Sequence, residues 1–474
     1  MPIIHSFRFS ARFFILTLIM SLCPVFILHG PAWGEPRIKE KLVLSLPQLI
    51  HMAIAKSPEI GESRSEIAAA RSDLEQVKAA YYPQLESTAV VGPIDDAREP
   101  VIRDNKIFDP SPGTSLSNIG IFGRLDFTIT QPLYTFGKLA NRRKAASDGV
   151  RAKEFGLVEK KSRIALRVKQ LYYALILARE GIDAADEAGD FFDDARRRII
   201  RLLDLDSPNV SESDLYRIDA FRADSIRSRA EAQKGVEVAY FALKSLIHLP
   251  PGKEFDIAEE ALPMKDEDLD EMESYIKKAF ANRPEFKQLN AALEAQKFQV
   301  QAAQSDRYPS FFVALEGSFA TAPGRDILDN PYIPDDFNHA YAGVVAGVKW
   351  EFDFGIGRAK VDKVSAEYSK LLYTKASAEM NIRIQTVKSY QEVLEWKKAV
   401  NAYRKAVSSS RKWVITALAD FDMGVGTAEN MLVAIEKYGH NQSKYLEALF
   451  NYNMSLAKLE FVAGAKDWQE DRKK

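Results

Sequence analysis

Apolar residues recur along much of the chain at alternating steps of four and three, which is the spacing of a coiled-coil seam. The clearest run extends from Ile164 to Ala185, inside a segment, 137–207, that contains no proline. A second proline-free segment covers 355–422. A helix of about 70 residues is about 100 Å long at 1.5 Å per residue. The pattern therefore predicts two rods, over 137–204 and 356–421, each followed by a shorter return helix, over 211–248 and 427–463.

Shorter segments before the rods alternate with a period of two. In 124–130 and in 348–354, apolar or aromatic side chains alternate with charged or polar ones. One face of such a strand meets apolar surroundings and the other face meets water. Polar, proline-rich loops are predicted at 93–118 and 321–340. The predicted strands cover residues 84–92, 119–133, 310–320 and 341–354.

The chain contains an internal duplication. A Pro-Glu pair at 58–59 recurs at 284–285, and a Tyr-Pro pair at 82–83 recurs at 308–309, both with an offset of 226 residues. A fixed period of this kind indicates two copies of one structural unit. The predicted organisation is a first repeat over 35–252, an acidic connector over 253–270, a second repeat over 271–464 and a charged tail over 465–474.

The first residues have the composition of an export signal, which is predicted to cover 1–34. A basic start is followed by the apolar stretch 13–28 and by small residues at Ala32 and Gly34, so we expect cleavage before Glu35. Two alternatives stay open. One is a retained membrane anchor, for which the apolar stretch is short. The other is a lipoprotein modified at Cys23, although the residue before this cysteine is not small.

Composition excludes several function classes. Cys23 is the only cysteine, so the exported chain has no thiolate metal site. The 65 basic and 66 acidic residues nearly balance, which gives no indication of nucleic-acid binding. The six histidines show no ligand spacing, and no set of nucleophile, base and orienting residue is evident. We therefore expect no metal, no cofactor and no enzyme activity.

The predicted strands are too few to form a closed sheet in one chain. In a bilayer, an open sheet leaves the N–H and C=O groups of its edges unpaired, which costs several kcal/mol for each group. Identical protomers would therefore have to contribute strands to one barrel. The alternative is a soluble sheet that packs on its own helices. Charged positions such as Lys349 and Glu351 beside exposed aromatic ones such as Trp350 and Phe352 favour the barrel.

The order and spacing of these features resemble the outer-membrane efflux protein family typified by TolC. The duplicated Pro-Glu and Tyr-Pro pairs carry the resemblance, together with aromatic-glycine junctions at 136–137 and 354–355 and the turn 424–427. It implies a membrane β-barrel joined to an α-helical coiled-coil barrel. The unit is a duplicated helix–strand–strand–long helix–helix, with four strands per protomer and twelve in a homotrimer. It also implies outer-membrane lipid, a periplasmic adaptor and an inner-membrane transporter as partners.

The resemblance implies that the turns between rods and return helices form a periplasmic tip that opens and closes. Well-known members of the family carry two acids six and nine positions after the tip glycine, but counting from Gly424 gives Asn430 and Val433. Counting from Gly426 gives two apolar residues instead. Nearby acids could form a displaced ring, or they could be solvated acids at helix ends. The candidate gate residues are Asp204, Asp206, Asp420, Asp422, Asn430 and Val433.

The resemblance also suggests contact surfaces at both ends of the molecule. The candidate adaptor contacts at the tip are Pro208, Asn209, Val210, Gly424, Val425, Gly426 and Thr427. The candidate membrane-facing aromatic residues are Phe127, Tyr134, Phe136, Trp350, Phe352 and Phe354. The expected function is a passive outer-membrane exit duct of a tripartite efflux or type I secretion system, with a long periplasmic extension. The alternative is a structural coiled-coil spacer of the envelope that transports nothing.

Overall fold

The computed structural model describes residues 41–98, 101–103, 106–108, 119–264 and 268–466. The expected signal peptide, Cys23, the end of the charged tail and part of the 93–118 loop lie outside these residues. The described elements, in chain order, are β1 (Leu42–Leu44), α1 (Leu46–Lys56), α2 (Pro58–Ala79), β2 (Gln84–Asp95), β3 (Val101–Arg103), β4 (Lys106–Phe108), β5 (Ile119–Tyr134), α3 (Lys138–Asp204), α4 (Glu212–Leu246), β6 (Phe255–Ile257), α5 (Met272–Asn282), α6 (Pro284–Ser305), β7 (Ser310–Thr321), β8 (His339–Lys349), α7 (Ile356–Asp422) and α8 (Ala428–Val462).

The element order shows the duplication directly. Each repeat has a short helix and a 22-residue helix, then two long strands, a 67-residue helix and a 35-residue helix. A 67-residue helix is about 100 Å long at 1.5 Å per residue. Proline at the first turn starts the 22-residue helix of both repeats, because its missing N–H and fixed φ suit that position.

The four long strands form one antiparallel sheet with the order β2-β5-β7-β8. Strands β5 and β7 come from different repeats, and their pairing joins the two repeats in the centre of the sheet. Strands β2 and β8 are the two edges, and each pairs along only one side within the described residues. Since two edges remain, the sheet of a single chain is open.

The helices continue the same side-by-side arrangement. Helices α6 and α8 each contact both long helices, α3 and α7, so this column lies between the two rods. Helices α2 and α4 pack mainly on α3. The long helix α7 is therefore at one margin of the chain and the α2 and α4 column is near the other, which matches the order of strands in the sheet.

Two hydrophobic cores hold the helices together. The larger core lies where α1, α3, α4, α7 and α8 meet around the β1–β6 pair, and it buries Tyr172, Leu175 and Tyr452 almost completely. The smaller core lies close to the two helix turns and contains Ile199, Phe421 and other residues of α3, α4, α7 and α8. Because each core takes side chains from both repeats, packing fixes the repeats against each other.

The strand expected over 341–354 differs from the structure. Strand β8 ends at Lys349, which pairs with Ser310, the first residue of β7. Beyond Lys349 the neighbouring strand offers no partner, so the ladder stops. Phe354 then has a positive φ of 49° and leads into α7. Trp350 and Phe352 are therefore in the link between sheet and helix, and their expected place within a strand is wrong.

Two segments expected to be irregular contain strands. The acidic connector includes β6, which pairs in parallel with β1 and buries Phe255 and Ile257 on either side of Asp256. In the loop expected over 93–118, β2 continues through Pro93 to Asp95, and β3 pairs with β4. Proline is tolerated there because β2 is an edge strand, where an N–H can be missing without loss of a ladder bond.

Candidate functional site

The turn between α3 and α4 and the turn between α7 and α8 lie next to each other. A methyl group placed on Gly424 would be 3.6 Å from Nδ2 of Asn209, so the two turns are in contact distance. Both expose apolar side chains: Leu205 is 71% exposed and Val425 is 78% exposed. Of the other candidate contacts here, Pro208 is exposed and Val210 packs on the smaller core.

Backbone contacts set the shape of the turn after α7. The N–H groups of Val425 and Gly426 both donate to the carbonyl oxygen of Asp420, at 3.0 and 2.9 Å. Gly424 has a positive φ of 76°, which glycine adopts without steric cost. A methyl group on Gly426 would lie 2.9 Å from the backbone N of Phe421, which is closer than real Cβ contacts. The glycines are therefore requirements of this turn.

Side chains cap the helices that leave both turns. The Thr427 hydroxyl accepts the N–H of Asn430 at the start of α8. At the start of α4, the Asp214 carboxylate accepts the N–H of Ser211 at 3.0 Å, which is the capping box that the sequence Ser-Glu-Ser-Asp suggested. The Asn430 side chain also accepts the indole N–H of Trp413 at 3.3 Å. Asn430 is therefore a structural link between α7 and α8, and Val433 beside it is half-buried.

The acids near the turns have different partners. Arg198 of α3 forms ion pairs with Asp194 on its own helix and with Asp422 at the end of α7. Asp204, which is equivalent to Asp422 in the other repeat, makes no ion pair within the described chain, and neither does Asp206. The carboxylate group of Asp422 thus ties two helices together, whereas that of Asp204 is free to face solvent.

A second polar link joins three helices further from the turns. The Tyr438 hydroxyl of α8 donates to the Glu187 carboxylate of α3 at 2.7 Å, and Arg411 of α7 lies 3.2 Å from the same carboxylate. Burial and the hydrogen bond to Glu187 raise the pKa of Tyr438 to about 12, so its hydroxyl remains a donor. This cluster gives no signal in the sequence, since its members are single polar residues in long helical stripes.

At the other end of the helices, aromatic rings fill the junction between sheet and helix. The ring of Phe136 stacks on Tyr308 with centroids 5.4 Å apart, and it also contacts Tyr134 and Phe311. Phe136 has a positive φ of 48°, and the packing of these rings holds that conformation. The structure therefore brings two of the predicted membrane-facing aromatic residues together with Tyr308 and Phe311, which the sequence analysis did not select.

An ion cluster lies directly beside this aromatic group. Asp306, just after α6, is 2.8 Å from Nζ of Lys138 and 3.2 Å from Nη2 of Arg142 at the start of α3. These pairs join the two repeats where the chain passes from strands to rods. They are partly exposed, so each contributes at most about 1 kcal/mol.

The remaining predicted aromatic residues lie in three separate places. Phe127 covers Gly317 of the neighbouring strand, where an added methyl group would be 2.3 Å from its ring. Trp350 and Phe352 pack together with centroids 4.4 Å apart, and the Trp350 indole donates to the carbonyl of Arg307 at 3.1 Å. Phe354 is fully exposed. The six residues therefore form no single belt within one chain.

Other kinds of site are not evident in the described parts of the chain. No group of three or more His, Cys, Asp or Glu side chains there is arranged to hold a metal ion. Among the described helices, none combines the length and the apolar character needed to cross a membrane.

Comparison with known proteins supports the family resemblance. The family model named outer membrane efflux protein matches residues 275–465, which is the second repeat. No curated protein matches the sequence.

Solved structures share the fold of nearly the whole chain. The OprN outer-membrane channel has a TM-score of 0.72 at 16% identity, covering 89% of this chain and 90% of its own. The open-state MtrE outer membrane channel of Neisseria gonorrhoeae has a TM-score of 0.72 at 16% identity, covering 89% of both chains. The outer membrane protein VceC of Vibrio cholerae has a TM-score of 0.71 at 15% identity, covering 89% of this chain and 96% of its own. The second repeat thus matches the outer membrane efflux protein family by sequence, and the described residues have the fold of TolC-like outer-membrane channels.

Proposed function

We propose that three copies of this chain form a passive exit duct in the outer membrane. An inner-membrane transporter delivers the substrate, a periplasmic adaptor connects it to the duct, and the duct conducts it across periplasm and outer membrane without enzyme chemistry. An envelope spacer without transport is the alternative. It would explain the rods but would give no role to an amphipathic four-stranded sheet.

The observation that carries this proposal is the open sheet above two long rods. Strands β2 and β8 both leave one side unpaired, and unpaired backbone groups in hydrocarbon cost several kcal/mol each. Pairing β8 of one copy with β2 of the next removes both edges. Three copies then give twelve strands, and the α7 margin of each copy meets the α2 and α4 column of its neighbour.

Exposed apolar surface on the sheet supports a lipid environment. Val344 is 73% exposed and Val348 is 57% exposed on β8, and Leu85 is 67% exposed on β2. A free soluble sheet rarely exposes such a patch. We assign the face of β8 that carries Val344 and Val348 to lipid and the face of Lys349 to the lumen, with Trp350 and Phe352 beside the lipid just beyond the end of the strand. The aromatic junction around Phe136 then lies at the periplasmic surface of the membrane.

The two helix turns are the proposed contact for the adaptor. Their exposed Leu205, Met423 and Val425 are apolar and lie at the far end of the rods, about 100 Å from the sheet by helix length. The candidate contacts Pro208, Asn209, Gly424 and the rest of both turns are therefore presented together. Residues 1–34 are proposed to direct export and to be removed, which leaves the sheet to insert in the outer membrane.

Two measurements on the purified protein test the proposal. We expect mass photometry in detergent to give a trimer, and planar bilayers to show ion conductance after insertion. A stable monomer would contradict the barrel, because one chain cannot close the sheet. A trimer that inserts but never conducts would favour the spacer instead.

A further inference from the structure

A chain of hydrogen bonds crosses the sheet at its loop end, far from the helix turns and the aromatic junction. Oγ of Ser318 on β7 lies 2.7 Å from Oδ1 of Asp126 on β5 and 2.8 Å from Nε2 of His339 on β8. Nδ1 of His339 lies 2.8 Å from the backbone carbonyl oxygen of Asp335. Four groups are thus joined in a row by three short contacts.

Strand register explains why these residues meet. Asp126 pairs directly with Ser318, and Ser318 pairs with Tyr341 on β8. His339 is two residues before Tyr341, so its side chain is on the same face of the sheet. Ser318 is only 5% exposed, which keeps the centre of the row away from solvent. The row connects three strands to the loop 322–338.

Counting hydrogens shows what the row requires. Both ends are acceptors, because a carbonyl oxygen and a carboxylate have no hydrogen to donate. Three contacts between two terminal acceptors need three hydrogens. The Ser318 hydroxyl supplies one, and a neutral imidazole supplies one more. With a neutral His339, one of the three contacts therefore lacks a hydrogen, whereas the doubly protonated imidazolium completes all three.

A neighbouring arginine decides where the third hydrogen resides. In principle it could be on Asp126 rather than on His339. Nε of Arg124 lies 2.9 Å from Oδ2 of Asp126, so this oxygen already accepts a hydrogen from the guanidinium. The Asp126 carboxylate thus accepts from Ser318 through one oxygen and from Arg124 through the other. The extra proton is therefore on His339.

Other charged groups surround the histidine. The carboxylate of Asp335 accepts the N–H groups of Leu328, Phe337 and Asn338 within the loop. The hydrogen bond from the Leu328 N–H has the largest lowering effect on the pKa of Asp335, and the nearby His339 lowers this pKa further. The Asp335 carboxylate is therefore a negative charge close to His339.

The remaining neighbours are on β7, β8 and the loop. Glu316 precedes Ser318 by two residues on the same face of β7. The Tyr341 ring stacks on the His339 ring with centroids 5.5 Å apart. The cationic side chain of the loop is Arg325. Its Cζ lies 4.2 Å from the centroid of the Phe337 ring, so the guanidinium stacks on this ring rather than on the histidine. Arg124 is thus the charged neighbour that contacts the row directly, through the Asp126 carboxylate.

We propose that His339 is a proton-binding site that fastens the loop 322–338 to the sheet in acid and releases it in alkali. Histidine changes its charge between about pH 5 and pH 8, so the fastening responds within that range. When the proton leaves, one of the three contacts lacks its hydrogen, so the link from Asp335 of the loop through His339 and Ser318 to Asp126 is no longer continuous. The contacts that hold the loop to the sheet all lie within one chain. Only the position of the loop at the outer mouth of the duct rests on the proposed function.

The test follows the motion of the loop with a spin label. Tyr332 is 92% exposed in the loop and lies apart from the row, so Tyr332→Cys in a Cys23→Ser background gives a single labelling site. We expect the electron paramagnetic resonance spectrum of the detergent-solubilised protein to be more mobile at about pH 8 than at about pH 5.5. In His339→Gln, which is neutral at both pH values, this difference should be lost.

Two further variants separate the row from general effects of pH. Ser318→Ala keeps His339 but removes the link to Asp126, so the difference should be lost there too. His440→Gln replaces an exposed histidine on α8 and should leave the difference unchanged. A difference that survives in both His339→Gln and Ser318→Ala would overturn the proposal, and so would its absence in the parent protein. Because the readout is loop motion, it does not depend on transport or conductance.

Discussion

At the residue scale, the α7–α8 turn requires two glycines, because a side chain at either position would conflict with the backbone of the turn. Gly424 takes a positive φ, and Gly426 lets the chain approach the backbone of Asp420 and Phe421 within 3.0 Å of where a Cβ would be. Two N–H groups then share the carbonyl of Asp420, so the turn is closed by backbone alone. A side chain at either position would therefore distort the backbone of the turn.

We predict that Gly426→Ala loosens this turn. Its methyl group would meet backbone atoms that cannot move aside, so we expect a local destabilisation of about 1–3 kcal/mol. The measurement is the rate of thermolysin cleavage within 421–427 in the folded protein, which should rise. Gly61→Ala is the matched control, because an added methyl group there has no heavy atom within 4 Å. Equal cleavage of the two variants would contradict the steric argument.

At the element scale, the duplicated fold could be predicted from the sequence, while its cross-links could not. The heptad seam and the repeated Pro-Glu pair are local patterns, and they are sufficient to identify rods and repeats. The link between Glu187 and Tyr438 joins residues 251 positions apart, and only packing brings them together. Strand β6 was not predicted, because its two buried residues are too few to show the alternation of apolar and polar residues that indicates a strand. The end of β8 was misplaced because strand length depends on the neighbour β7, not on alternation alone.

We predict that Tyr438→Phe weakens the attachment of α8 to α3. The variant keeps the ring packed on Phe191 but removes a hydrogen bond to a charged group, which is worth about 1.5–3 kcal/mol. Hydrogen exchange of amides in α8 near residue 438 should become faster. Tyr445→Phe on the same helix is the control, since within the described chain its hydroxyl has no hydrogen-bond partner. Unchanged exchange in Tyr438→Phe would refute the link.

The pH dependence of this link follows from the raised pKa of Tyr438. The folded protein favours the protonated hydroxyl, so the stabilisation is fully present below the ordinary tyrosine pKa of about 10. It is lost as the pH rises through the folded value of about 12. The parent protein should therefore approach the exchange rates of Tyr438→Phe only in strong alkali.

At the scale of the whole molecule, the proposed trimer would repeat the acids near the two helix turns three times. In a trimer, three copies of each acid stand around one axis, where carboxylates repel one another and attract cations. The structure distinguishes the two repeat-equivalent acids, because Asp422 is paired with Arg198 while Asp204 makes no ion pair among the described residues. A ring of Asp204 would thus present charge, whereas a ring of Asp422 is neutralised within each copy.

We predict that Asp204→Asn lowers the cation selectivity of the duct and that Arg198→Gln raises it, because the second change frees the charge of Asp422. The measurement is the reversal potential of single channels in planar bilayers under a KCl gradient. Both effects should shrink at high salt, since the Debye length falls from about 10 Å at 0.1 M to about 3 Å at 1 M. Asp73→Asn, an exposed acid on α2 near the other end of the rods, makes the same charge change and should leave selectivity as it is. If Asp204→Asn and Asp73→Asn behave alike, Asp204 is a solvated residue at a helix end. The two turns would then be held together by the Arg198–Asp422 and Glu187–Tyr438 contacts and by the smaller core.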